Sequence, residues 1–248
     1  MFRKSIQFAL LLSLSLGGFG QQAKHGFYSR AALPLWEEIA GSPTPIVVAS
    51  PDRRSRVLAR WQGAGCKDKD ECVVLDLEGA LGKLHLDIGP GVGSEVLWAP
   101  DSKAFFVTTS NAGANGDYHL FVVGTFEGKM QGRDITERIY REFGHPFRCG
   151  WEESPNVAGI GWVGKTHHLW VAAEVVNHSN CDSFGTFKAY EVDPAAMAVV
   201  QTLDQIEAKR ELGPLLGKEL MLAPDQCVRK PGSCYVSTNH PELLPKQR

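Results

Sequence analysis

The stretch VLWAPDSKAFFVTTSNAGANGDYHLFVVG, residues 96–124, decides how this chain folds. It reads as strand, turn, strand, loop, strand. An apolar run ends on Trp98, and Ala99-Pro100-Asp101 then reverses the chain. Pro fixes φ and the Asp side chain caps a tight turn, so the reversal has a mechanism. A second apolar run over 103–110 leads into SNAGANGD (110–117), whose Gly, Asn and Asp residues suit a hairpin loop. A third run fills 118–124. Runs of this length, broken by turn residues, predict antiparallel strands rather than helices.

The pattern recurs outward from there. Ser50-Pro51-Asp52 stands 49 positions before Ala99-Pro100-Asp101 and leads into the strand candidate RVLARW (56–61). A third copy, Ala223-Pro224-Asp225, stretches its turn to hold two cysteines before CYVST (234–238). Between them GIGWVGKTHHLWVAAEV (159–175) sets Trp162 where the second copy has Trp98, without Pro-Asp. Further strand candidates are 46–50, 72–77, 83–89, 157–163, 168–176 and 187–192; KLHLDIG (83–89) alternates as a half-buried strand does. Ile135, Ile139 and Phe143 recur at helical spacing and predict a short helix within 132–144. A second is expected within 203–212, stopped by Gly213-Pro214, and a short one around Ala31–Ile39, broken by Pro34. A repeat of 40–50 residues suits one four-stranded propeller blade. The expected fold is mainly β: a partial or small β-propeller-like array of antiparallel sheets with one or two short helices. An unrelated β-sandwich whose turns contain Pro-Asp is the competing reading.

On these residues the chain resembles the Pro-Asp type of β-propeller repeat found in TolB-like proteins, best over 96–124, less over 46–90 and least beyond 150. The family usually carries Gly after Pro-Asp; Arg53, Ser102 and Gln226 stand there in this chain. The resemblance implies three to four blades, as a four-bladed ring, an open arc capped by the N-terminal segment, or a half completed by a partner. It also implies protein–protein contact at a cell envelope.

The N-terminus has the three-part layout of a secretory signal peptide. Arg3 and Lys4 precede an apolar run over Ile6–Leu16, and the small residues Gly17, Gly18 and Gly20 follow. The expected division is a signal peptide over 1–22, an N-terminal segment over 23–44, a propeller-like domain over 45–240 and a polar tail over 241–248. A secreted or periplasmic location follows, with no membrane span after cleavage. Losing Arg3 and Lys4 takes the formal net charge from −2 to −4, and no basic stripe argues for nucleic acid. The six cysteines, Cys66, Cys72, Cys149, Cys181, Cys227 and Cys234, form an even set that suits disulfides in an exported chain. Spacing prefers Cys66–Cys72, Cys149–Cys181 and Cys227–Cys234 among the 15 possible pairings.

The motifs that look like chemistry are weak in context. GIGWVGKT (159–166) fits both the P-loop spelling and G-x-G-x-x-G, with Asp182 at ribose distance. The polar WEESPNVA before it and HHLWVAAEVV after it spell no strand–loop–helix unit, so nucleotide binding through Gly159–Thr166 is only a remote alternative. His167 and His168 are adjacent and face opposite ways in a strand, so no metal site is expected from them, with or without His145 or His178. Asn177-His178-Ser179 is a glycosylation sequon, relevant only in a eukaryotic host. Pro51, Asp52, Pro100, Asp101, Pro224 and Asp225 are read as turn residues; no catalytic residue and no cofactor is identified. The leading function is an exported binding or scaffold module with a protein partner. The alternative is an exported hydrolase-type enzyme working at a propeller face.

Overall fold

The computed structural model describes residues 26–35, 44–62, 72–110, 118–143, 154–164, 166–175 and 185–224. Three antiparallel sheets carry the molecule. The first is a meander of β2 (Ile46–Ala49), β3 (Ser55–Gln62), β4 (Cys72–Gly79) and β5 (Leu84–Asp87), in chain order from edge to edge. The second places β1 (Leu33–Pro34) beside β6 (Val92–Trp98), then β7 (Ala104–Ser110), β8 (Tyr118–Phe126) and β9 (Lys129–Asp134). The third repeats the meander with β10 (Asn156–Trp162), β11 (Leu169–Glu174), β12 (Phe187–Asp193) and β13 (Ala198–Leu203). Helix α1 (Thr136–Phe143) links the second sheet to the third; α2 (Gln205–Leu212) and α3 (Lys218–Leu222) follow the last strand. The chain is thus mainly β, and among the described residues the sheets do not close into a ring.

Burial explains which strands alternate. The first sheet packs Val57, Ala59, Val73, Leu75 and Leu77 against Val96, Trp98, Phe105, Val107 and Val123 of the second. The second sheet's other face packs Phe106, Leu120 and Val122 against Val157, Trp162, Leu169 and Val171 of the third, with Ile139 and Phe143 of α1 in the same core. The third sheet's far face packs Ala158, Ile160, Ala172 and Ala189 against Ala208, Leu212 and Leu220 of α2 and α3. So β7, β10 and β11 are buried at every position, whereas β3 and β5 alternate because the first sheet turns one face outward. That outer face carries Arg56 paired with Glu78 at 2.9 Å, and Arg60 and His85 both paired with Asp76. One end of the array is capped by helices and the other is a polar, exposed sheet.

One expectation is corrected here. Residues 31–35 are not helical: Leu33 and Pro34 pair with Val96 and Glu95 as β1. Pro34 lacks an N–H and its place on a sheet edge needs none. The short helix expected within 132–144 is α1; it begins at Thr136, because β9 runs to Asp134 and Leu120 donates its N–H to the Thr136 hydroxyl at 2.9 Å. Ala223-Pro224 does not follow a strand as the first two copies do; α3 precedes it and Ala223 ends that helix. Asp225, CYVST and every cysteine except Cys72 lie outside the described residues. Cys72 opens β4, is buried, and is disulfide-bonded. Among the described residues no helix is long and apolar enough to cross a membrane.

Candidate functional site: the turn face and a buried carboxylate cluster

The sequence copies become one structural device at one end of the sheets. Three turns are closed by the same pair of backbone bonds. Ser50, Ala99 and Val163 donate to Ser55, Ala104 and His168; Arg53, Ser102 and Thr166 donate back to Ser50, Ala99 and Val163, all at 2.8–3.0 Å. The Asp52 carboxylate accepts from the Arg54 N–H and the Asp101 carboxylate from the Lys103 N–H, each at 3.0 Å. Arg53 and Ser102 sit at φ 59 and 65, the left-handed region that a Gly would enter without a Cβ penalty. The third turn has no Pro-Asp but reaches the same closure with Gly164 at φ 52.

Neighbouring turns touch. The Asp52 N–H donates to the Ser102 hydroxyl at 3.0 Å, and His167 Nε2 lies 2.7 Å from Asp101 Oδ2. Behind them the Trp98 indole N–H donates to the Val48 carbonyl and the Trp162 indole N–H to the Leu97 carbonyl. The Ser50 hydroxyl and the Arg54 N–H hold the Asp52 carboxyl below the usual carboxylate range. Asp101 is also held low: partial burial pushes it up, and hydrogen bonds from His167 and Lys103 outweigh that. Both turns therefore present ionised carboxylates. His168 points elsewhere, its Nδ1 lying 2.8 Å from Glu191 Oε1 on β12, so the adjacent histidines serve different partners.

Among the described residues, two grooves open on the first sheet. One, of about 380 Å³, crosses the outer face of the first sheet past Arg60, Asp76 and His85. A larger one of about 560 Å³ runs past Val47, Ala49, Arg53, Arg54, Arg56 and Glu78.

Gly159–Trp162 lies inside β10, with its backbone paired to β11 or bonded across the sheets. A Cβ on Gly159 would stand 2.4 Å from the Phe106 ring, and its N–H donates to the Thr108 hydroxyl at 3.0 Å. The glycine is there because the second and third sheets approach closely. The Thr166 hydroxyl donates to the Val163 carbonyl at 2.7 Å, and β11 follows rather than a helix. No nest of free N–H groups faces outward at Gly159–Trp162, as a phosphate would need.

A second polar cluster, absent from the sequence-based reading, lies at the opposite end. The buried Glu95 carboxylate on β6 accepts the backbone N–H groups of Phe27, Tyr28 and Ser29 at 2.7, 3.1 and 3.1 Å. The Tyr28 hydroxyl donates to Glu174 at 3.0 Å and accepts from the Asn156 side chain at 2.8 Å. Burial raises Glu95 from 4.5 to about 8 against the pull of its three N–H donors. Burial, then the charge of Glu219, raises Glu174 to about 8. Glu174 is the one charged residue in the otherwise apolar LWVAAE, and that misfit was the only sequence signal for it. The cluster fastens residues 26–30 into the molecule: Tyr28 is 1% exposed and stacks edge-on against Tyr118 with ring centroids 5.1 Å apart. Glu95 is filled by backbone N–H groups of this segment, whereas Glu174 receives the Tyr28 hydroxyl on Oε2 and its buried Oε1 has no hydrogen-bond partner among the described residues.

Comparison with family models, with curated proteins and with solved structures returned no match.

Proposed function

We propose that the chain is an exported, β-propeller-like binding or scaffold protein that meets a protein partner at its turn face and the adjoining open sheet. The observation that carries this reading is the set of three adjacent turns, tied to one another and to the sheets behind them, with charged side chains exposed above. A pre-organised rim of this kind lowers the ordering cost of association. Three four-stranded meanders packed face to face, each closing its first hairpin with the same turn, support an open arc of TolB-like blades. The apolar N-terminal leader and the even cysteine set support export, with Cys66–Cys72 as the pairing for Cys72.

An exported hydrolase-type enzyme is the second reading, favoured by the raised carboxyls of Glu95 and Glu174. Both are 1% exposed, and Glu95 has its hydrogen bonds filled by the chain itself, which favours binding over catalysis. The test is to incubate the oxidised mature protein with an immobilised peptide library and read both retention and peptide mass. Saturable retention with unchanged masses supports the binding module. Time-dependent cleavage that Glu174→Gln abolishes would replace it with the enzyme.

A further inference from the structure

We propose that the larger groove on the open sheet is a docking site for an acidic, extended segment of a partner protein, with Arg53 and Arg54 as its anion-reading residues. The inference deepens the binding-module reading and rests on it. The groove has an aliphatic floor, where Val47 is 54% exposed and Ala49 is also exposed, and a rim of three exposed guanidinium groups. Arg56 is matched by Glu78 at 2.9 Å. Arg53 and Arg54 make no ion pair within 4 Å among the described residues; the ionised Asp52 beside Arg54 offsets part of their charge, and the three arginines against Asp52 and Glu78 leave the rim net positive on a chain whose formal net charge is −2.

The position of Arg53 is a second, independent observation. Its equivalent in the next turn, Ser102, also stands at positive φ, but there the hydroxyl accepts the Asp52 N–H and ties the turns together. Arg53 holds the same strained backbone with no hydrogen bond from its side chain among the described residues. The turn fixes the Arg53 backbone through its N–H bond to Ser50, and the guanidinium, engaged in no such tie, lines the groove.

The chemistry selects the occupant. Guanidinium groups present paired donors that match carboxylates. Small aliphatic side chains between them suit the alternate side chains of an extended peptide. No aromatic ring lines the groove, so single-stranded nucleic acid would find nothing to stack on.

The probe is a fluorescein-labelled decapeptide of alternating Glu and Val, followed by anisotropy with the full mature protein. The expected result is saturable binding that alternating Lys-Val does not show, that salt weakens, and that Arg53→Gly with Arg54→Ala weakens by about tenfold or more. Arg53→Gly alone should raise Tm while lowering affinity, an opposition that a purely structural arginine would not produce. The proposal is overturned if the double variant binds the Glu-Val peptide as the natural chain does. It is also overturned if a ten-residue oligothymidylate or phosphatidylglycerol vesicles bind as tightly, or if the face proves to be occupied by a second copy that the peptide cannot displace. Library peptides retained equally by the double variant would leave the binding module standing and remove this site; no retained peptide at all would remove both.

Discussion

The indole N–H of Trp98 donates to the Val48 carbonyl, 3.1 Å away, and so joins the second sheet to the first. The indole of Trp162 repeats the bond to Leu97 at 3.3 Å and joins the third sheet to the second. Val48 and Leu97 hold the same place, two residues before the first residue of their turns. One residue type at one position thus supplies both an apolar plate between sheets and a directed bond across them. The first sheet has Ala49 at that position, in keeping with its place at the open end.

Trp98→Phe keeps most of the apolar plate and loses the bond. We expect it to cost about 1–2 kcal/mol, and Trp98→Ala about 3–5 kcal/mol. Urea denaturation followed by far-UV circular dichroism measures both. Equal stability of Trp98→Phe and the natural chain would show that the bond contributes nothing net.

Gly159→Ala sets a methyl carbon against the Phe106 ring at 2.4 Å. The expected loss is about 1–3 kcal/mol, with part of it recovered when Phe106→Leu is added, because the two changes share one contact. A double-mutant cycle reads the coupling. Simple additivity would mean that the sheets separate freely at this point.

Glu174 ionises with difficulty in the folded state, at about 8 instead of 4.5. A carboxyl raised on folding contributes stability that is fully present below its unfolded pKa and is lost as pH rises through the folded one. Glu95 acts in the same direction. The lowered carboxyls Asp52 and Asp101 act in the opposite sense, and below the ordinary carboxylate range. Stability should therefore fall between about pH 5 and 8, and Glu174→Gln should flatten that slope. An unchanged slope in Glu174→Gln would place the titration elsewhere.

Cys72 should be found linked to Cys66 when the unreduced protein is digested and its peptides are weighed. A loop this short contributes roughly 2–2.5 kcal/mol, so Cys66→Ser with Cys72→Ser should lower the urea midpoint accordingly. A Cys72 peptide joined to any other cysteine would contradict the spacing argument.

Much of the fold was legible because turn chemistry is local. Pro51-Asp52 and Pro100-Asp101 announce their turns in the sequence, and Trp98 and Trp162 mark the strand ends before the second and third turns. The alternation in KLHLDIG disclosed β5, since only one of its faces is buried. β9 was missed because KMQGRD has neither alternation nor β-branched residues, and β13 because AVVQTL lies between a Pro-containing turn and a helix. Pro34 was read as a helix breaker when its role is to edge a sheet. The carboxylate cluster was out of reach: Tyr28, Glu95 and Glu174 are brought together from distant parts of the chain by packing alone. The consecutive arginines at 53 and 54 were visible as letters, but their meaning depends on the first sheet being the open one.

Proton exchange at the tryptophan indoles tests the joined-sheet arrangement most directly. In nitrogen-15 spectra recorded after transfer to deuterium oxide, with resonances assigned by single Trp→Phe changes, the Nε1–H signals of Trp98 and Trp162 should persist together and vanish together on unfolding. If either exchanges at the rate of a solvent-exposed indole under native conditions, the sheets are not joined as described and the propeller-like reading fails.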